Sequence, residues 1–352
     1  MLRSFARRGG IVLAALMLPV ALIGSASAAT PSAKQLSSAT LNADGSTFQL
    51  AFNQVVIGAF KPVQKSVTIN YQGNGSGQGR TDFTNKVVDW AGTDAVYAAA
   101  AAPTEPFFYF PTVTAPITLS YNVSGVNALK LSPDTAAKIF STAITTWDDP
   151  AIAADNPKVK LPSTKITVVH RTDGSGTTQN FTHWLQLAAP SDWTLGSAAT
   201  VQWPASTQGG SGNSGVANLV KTTNGAIGYV DFSDAKASGL KFAAVKNSSG
   251  KYIVPNLVSA QEAVNGATVN ADLTFDPINA SGAKAYPITS PTWIIAYQNQ
   301  STAAKGQALK AFLNFIYSDG QKLASSVDFA RLPAGMLKQA KAQVSKLVIP
   351  AS

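Results

Sequence analysis

A β-branched run, Ile166-Thr167-Val168-Val169, leads into Arg171-Thr172-Asp173-Gly174-Ser175-Gly176-Thr177-Thr178, and Phe181, Trp184, Leu185 and Ala188 then recur at helical spacing. That order dictates a strand, a tight loop and a helix. The loop falls at a helix N-terminus, where unpaired N–H groups and the helix dipole favour a bound anion. Small residues let the backbone approach closely, Ser175 and Thr177 supply hydroxyl donors, and the guanidinium of Arg171 is a fixed fork that matches a tetrahedral oxyanion.

The same logic recurs twice. Asp44-Gly45-Ser46-Thr47-Phe48 precedes a helix expected over 49–60, and Gly73-Asn74-Gly75-Ser76-Gly77 separates a strand expected over 66–71 from a helix expected over 81–86. One such loop is commonly only a turn and a cap. Three in one chain point to a shared site, because ligands of open α/β sheets bind beyond the carboxyl ends of the strands, where such loops converge. Further strands are expected over 87–91, 117–122, 166–170, 226–230 and 293–297, and further helices over 135–144, 178–187, 214–221 and 303–318. For the helix near 135, Ser132 is placed to cap, Pro133 to fill the first turn and Asp134 to complement the dipole. Alternation of this kind means an α/β fold. The Gly-rich stretch 208–215 reads as lobe architecture, since it lacks the lysine of a nucleotide-binding P-loop.

At the N-terminus Arg3, Arg7 and Arg8 precede an apolar run over 11–23 and the small residues Ala26-Ser27-Ala28, the pattern of a cleavable secretory signal over 1–28. Its removal takes away three arginines and no acid, so the net charge of +9 falls to +6. That charge is dispersed, which disfavours a nucleic-acid surface and suits a preference for anionic ligands. The sequence contains no cysteine, so disulfides, thiolate metal sites and a lipid-bearing thiol are excluded. The remaining chain is long enough for two cores.

A fourth element, Trp90-Ala91-Gly92-Thr93-Asp94-Ala95, sets a carboxylate just after a strand. In an anion site Asp94 repels a ligand that has no proton left to donate. Phosphate near neutral pH retains one and sulfate does not, so Asp94 reads as a selectivity element.

With these segments in view, and with Phe110-Pro111-Thr112-Val113, Trp147-Asp148-Asp149, Asn156-Pro157, Leu161-Pro162-Ser163, Gly225-Ala226-Ile227-Gly228-Tyr229-Val230 and Pro287-Ile288-Thr289-Ser290, the chain resembles the substrate-binding proteins of bacterial phosphate ABC transporters. The resemblance covers nearly all of the chain after the leader. It implies a two-lobed, type II-like periplasmic binding fold, high-affinity phosphate binding in the interlobe cleft, and delivery to membrane permease and ATPase subunits. Carried over by position, it implies that Thr47 gives its hydroxyl and backbone, Phe48 its backbone N–H and Ser76 its hydroxyl. Asp94 accepts the ligand's proton, Arg171 pairs with phosphate oxygens, Ser175, Gly176 and Thr177 complete the cradle, and Asp173 orients Arg171. The second loop departs from many relatives in reading Gly75-Ser76-Gly77-Gln78-Gly79-Arg80, and Arg80 is expected to face water.

The expected lobes are 29–113 with 287–352, and 114–286, joined by crossings near Val113 and Pro287. A monomeric, periplasmic protein is expected, without cofactor, metal or nucleic-acid partner. Rival readings are a binder of sulfate or molybdate, opposed by Asp94, and a secreted phosphatase. The latter has little to work with, because Gly174-Ser175-Gly176 is no nucleophile elbow, His170 reads as structural and His183 as solvent-facing. No enzyme activity is expected.

Overall fold

Phe107–Asn122 forms one strand of 16 residues that is buried along nearly its whole length. A strand covered on both faces is written as a continuous apolar and β-branched run rather than as an alternation. It is β4 in chain order, after β1 (Ala39–Gly45), β2 (Val67–Gln72) and β3 (Trp90–Thr93). Then come β5 (Lys130–Leu131), β6 (Thr167–Arg171), β7 (Gln208–Gly210), β8 (Ala226–Asp231), β9 (Lys241–Phe242), β10 (Ala244–Lys246), β11 (Tyr252–Ile253) and β12 (Thr289–Tyr297). This computed structural model describes residues 35–351, and the signal expected over 1–28 lies outside the described residues. Among the described residues no helix is long and apolar enough to cross a membrane.

The main sheet runs β2-β1-β3-β12-β4-β8-β6-β7, with β9 also pairing β4, and β11-β10-β5 form a second, small sheet. The long strand joins two half-sheets. Its first part is antiparallel to β12, with Phe107 opposite Tyr297 and Pro116 opposite Thr289, and its last part is antiparallel to β8, with Ile117 opposite Asp231. In one half β1 lies parallel to β2 and β3, and in the other β6 lies parallel to β7 and β8. Parallel neighbours need crossover helices, so the carboxyl ends of these strands open into loop-to-helix turns.

Those helices are α1 (Leu50–Phe60) after β1, α2 (Ser76–Thr84) after β2, α5 (Gly176–Ala188) after β6 and α6 (Gly212–Thr222) after β7. Between them lie α3 (Pro133–Phe140) and α4 (Pro150–Asp155), and α7 (Phe232–Ala237), α8 (Leu257–Asn265) and α9 (Ala303–Phe315) follow. Ser132 caps α3 by accepting from Thr135 N–H at 3.3 Å, with Pro133 and Asp134 in the first turn as the sequence predicts. α9 returns to the first half-sheet, where Phe312 lies 5.4 Å from Phe60 and 6.0 Å from Trp90. In the other half Phe181 stacks on Tyr229 at 4.6 Å and meets Phe140 edge-on at 4.6 Å. Burying each such ring stabilises the fold by about 1.5–3 kcal/mol, which anchors the loops between them.

Three departures from the expected elements have local causes. The strand expected over 117–122 is only the end of β4, because Pro111 and Pro116 interrupt the run as read from sequence yet are accommodated opposite β12. The strand expected over 87–91 begins at Trp90, after Lys86 has turned the chain with φ +58°. α2 starts at Ser76 rather than 81. Gly77 and Gly79 argue against a helix there by propensity, but any Cβ at Gly79 would overlap Gly45, so close approach of α2 to the end of β1 requires glycine.

Candidate functional site

Three loop-to-helix turns and the end of β3 meet at one point. After β1, Gly45 adopts φ +133°, and a Cβ there would overlap the Gly92 carbonyl, so glycine lets the first and third strands end side by side. Ser46 N–H donates to Gly92 O at 2.9 Å, and its hydroxyl donates to Asp94 Oδ1 at 2.5 Å. From α2, Ser76 Oγ lies 3.2 Å from Asp94 Oδ2. Asp94 is thereby held between two hydroxyls at 1% exposure. Burial pushes its carboxyl up to about 6, against the pull of Ser46, Thr292, Ser76 and the Arg171 charge.

The second half-sheet supplies the opposite wall. Arg171, at the end of β6, is 4% exposed and donates through Nε to Asp173 Oδ1 at 2.8 Å and through Nη2 to Asp173 Oδ2. Its Nη1 is buried and has no protein partner. Burial works to raise the Asp173 carboxyl, but Arg171 and the Gly212 N–H hold it below the usual carboxylate range. Asp173, which the resemblance gives the task of orienting Arg171, accepts from its Nε and Nη2. Ser175 caps α5, accepting from Thr178 N–H at 3.1 Å. Gly176 and Thr177 fill the first turn, whose N–H groups a helix cannot pair internally.

The two walls touch. Gly77 N–H donates to Gly174 O at 2.8 Å, and Asn180 Nδ2 donates to the Asp94 carbonyl and to Ser290 Oγ, both at 2.7 Å. A Cβ on Gly176 would come within 2.6 Å of Ser76 Oγ and 2.8 Å of Asp94 Oδ2, so α5 reaches this position only because the residue is glycine. Asn213 links Thr47 to Thr177, Gly176 lies against Ser76 and Asp94, and the Arg171 charge acts on Asp94, so these residues are joined by pairwise contacts across the two walls.

The Phe48 N–H, expected to face the ligand, donates to Ser46 Oγ at 3.0 Å in the turn before α1, while its ring packs edge-on against Phe329 at 5.8 Å. Arg80 does not face water as expected. It is half-buried, donates to the Ala95 and Val96 carbonyls at 3.2 and 3.3 Å, and lies 5.7 Å from the Tyr97 ring. Two carbonyls and an aromatic face hold its fork better than solvent does. His170 donates from Nδ1–H to the Arg171 carbonyl at 2.9 Å and stacks on Trp203 at 5.1 Å. His183, half-exposed, pairs with Asp276 at 3.0 Å.

A family model for a PBP superfamily domain matches residues 28–320. The phosphate-binding protein PstS of Xylella fastidiosa is 31% identical over 321 residues, which cover 89% of this chain and 86% of that protein. The phosphate-binding protein PstS 3 of Mycobacterium leprae is 35% identical over 329 residues, 89% of each. This chain belongs to the PstS family of phosphate-binding proteins. A phosphate-binding protein from Stenotrophomonas maltophilia shares the fold with a TM-score of 0.68 at 21% identity, over 87% of this chain and 94% of that one. A periplasmic phosphate-binding protein solved with phosphate does so with a TM-score of 0.71 at 22% identity, over 89% and 100%. The fold is the two-lobed one of PstS proteins.

Three residues of this PstS-family chain escape the sequence reading. Ser46 lies inside a motif that the sequence singles out, but its neighbour Thr47 is the expected donor. Asn180 lies on a helix face with no local signal. Asn213 belongs to the Gly-rich stretch 208–215, read from sequence as architecture, which instead brings Gly212 N–H to Asp173 at 3.0 Å and the Asn213 amide to Thr47 at 3.1 Å.

Proposed function

We propose that this protein binds inorganic phosphate between its two lobes with Thr47, Phe48, Ser76, Asp94, Arg171, Ser175, Gly176 and Thr177, and delivers it to the permease and ATPase subunits of an ABC importer. Asp94 carries the reading. A buried carboxylate that faces the first turn of a helix and a guanidinium is repelled by a fully ionised oxyanion, but accepts the proton that phosphate still holds. Phe48 contributes through a bifurcated N–H or through its place in the turn, since that donor also serves Ser46.

The lobes in this reading are 29–113 with 287–352, and 114–286, and the shared strand β4 and the start of β12 support crossings near Val113 and Pro287. Contacts such as Gly77 to Gly174 form only when the lobes meet, so a ligand that touches both walls favours closure. The signal pattern over 1–28 and the lack of a cysteine support an exported, unlipidated protein of the periplasm. Binding without turnover is supported by the histidines: His170 is engaged at the Arg171 carbonyl and His183 with Asp276, so neither is paired with Ser175 as a base.

Calorimetry on residues 29–352 with phosphate, arsenate and sulfate tests the reading. Phosphate binds, and sulfate binds at least about a hundredfold more weakly, as a misplaced acceptor facing Asp94 requires. Equal sulfate binding overturns the phosphate assignment in favour of a general oxyanion binder. Turnover of a phosphomonoester overturns the assignment as a binder.

A further inference from the structure

Asn213 is fully buried at the start of α6, and its side chain makes contacts to both walls of the cleft. Nδ2 lies 3.1 Å from Thr47 Oγ1 and 3.2 Å from Thr177 Oγ1, and the Asn213 N–H also points at Thr47 Oγ1 from 3.4 Å. On the other side Oδ1 faces the Asp231 N–H at 3.4 Å. Asp231 is itself fixed, because its carboxylate caps α7 by accepting from Asp234 N–H at 3.0 Å. An N–H at Oδ1 sets which end of the amide is oxygen, so the NH2 group must face the threonines.

That polarity has a consequence for the anion. A hydroxyl carries one hydrogen and two lone pairs, and when a fixed N–H occupies a lone pair the hydrogen turns elsewhere. Among the described residues neither Thr47 nor Thr177 donates to a protein acceptor, and both hydroxyls accept from Asn213. Left to rotate, each hydroxyl would spend part of its time with a lone pair toward the ligand, which repels an oxyanion.

We propose that Asn213 is a positioning residue that holds the hydroxyls of Thr47 and Thr177 as donors toward the bound anion and, by joining residues of the two walls, makes that alignment part of lobe closure. The inference rests on the phosphate reading above. The amide charges the site with two aligned donors without adding a formal charge, which a lysine or arginine in its place would do.

The test is a thermodynamic cycle on phosphate affinity, measured by calorimetry for the wild type, Asn213→Ala, the pair Thr47→Val with Thr177→Val, and all three together. Asn213→Ala weakens binding about tenfold in the wild-type background, and under about twofold once both hydroxyls are gone, because the amide acts through them. The same loss in both backgrounds overturns the inference and leaves Asn213 a packing residue. Asn213→Asp keeps the shape and the acceptor for Asp231 N–H but reverses the polarity toward the threonines. It weakens phosphate by about a hundredfold or more, and more than Asn213→Ala does. Binding by Asn213→Asp within about threefold of wild type overturns the inference, and this isosteric pair, judged against wild type, carries the test if the alanine variant does not fold. Wild-type protein that binds no phosphate sinks the functional reading itself, whereas wild-type binding with additive losses sinks only the role of Asn213.

Discussion

Asp94→Asn separates selectivity from affinity. The wild-type carboxylate accepts from Ser46 Oγ at 2.5 Å and Ser76 Oγ at 3.2 Å, and Oδ2 lies against Gly176 at the first turn of α5. A protonated anion adds a charge-assisted hydrogen bond to that oxygen, worth about 1.5–3 kcal/mol. A fully ionised anion of the same shape sets acceptor against acceptor and leaves about 1–3 kcal/mol of desolvation uncompensated. Together these give a discrimination of about 3–6 kcal/mol, or roughly two to four orders of magnitude in affinity. The carboxamide retains an oxygen for Ser46, removes the negative charge and can turn an N–H toward the ligand. Phosphate therefore exchanges one good bond for a weaker one, while sulfate gains a donor. Competition calorimetry at a pH where phosphate retains a proton is expected to show the phosphate-to-sulfate ratio falling by about a hundredfold, with phosphate affinity falling by about tenfold or less. A ratio within about threefold of wild type, in a variant that still binds phosphate, refutes the reasoning.

Gly176→Ala places a methyl group within 2.6 Å of Ser76 Oγ and 2.8 Å of Asp94 only when the walls meet. Phosphate affinity is expected to fall by about a hundredfold or more, while the melting temperature without ligand holds or rises slightly, since alanine is the better helix former; calorimetry and thermal melts check both. Asp94, raised to about 6 in the folded chain, keeps its proton where the unfolded chain has lost it. Stability without ligand therefore falls as pH rises from about 4 to about 6, by roughly 3 kcal/mol from this group, and the fall disappears in Asp94→Asn. Melts across that range test it, and parallel profiles for the two proteins contradict it. Around the cradle Arg171 is balanced by Asp173 and Asp94 adds a negative charge, so attraction rests on hydrogen bonds rather than on net charge. Phosphate affinity should then change by no more than about threefold with a tenfold rise in salt, and a steep loss would restore charge attraction as the source.

How much of this was legible in the sequence depends on what kind of signal each residue leaves. The strand-loop-helix order around Arg171 and around Gly45 is a local pattern, carried by β-branched runs, small residues and the spacing of Phe181, Trp184 and Leu185, and it folds as read. The start of α2 is not local. Gly75, Gly77 and Gly79 lower helix propensity, and their purpose, to let α2 lie against Gly45 and Gly174, exists only once distant segments meet. Arg80 fails for the same reason, since the carbonyls and ring that hold it come from a turn fifteen residues away. Asn213 is the sharpest case. Its neighbours announce a flexible loop, and nothing near it names Thr47 or Thr177, yet its two N–H hydrogens are what give those hydroxyls a direction. The residues proposed to touch the anion sit in motifs because the strand ends and helix starts that present them are local structures. Those that orient the donors are recruited across the cleft, and a single sequence records their identity but not their partners.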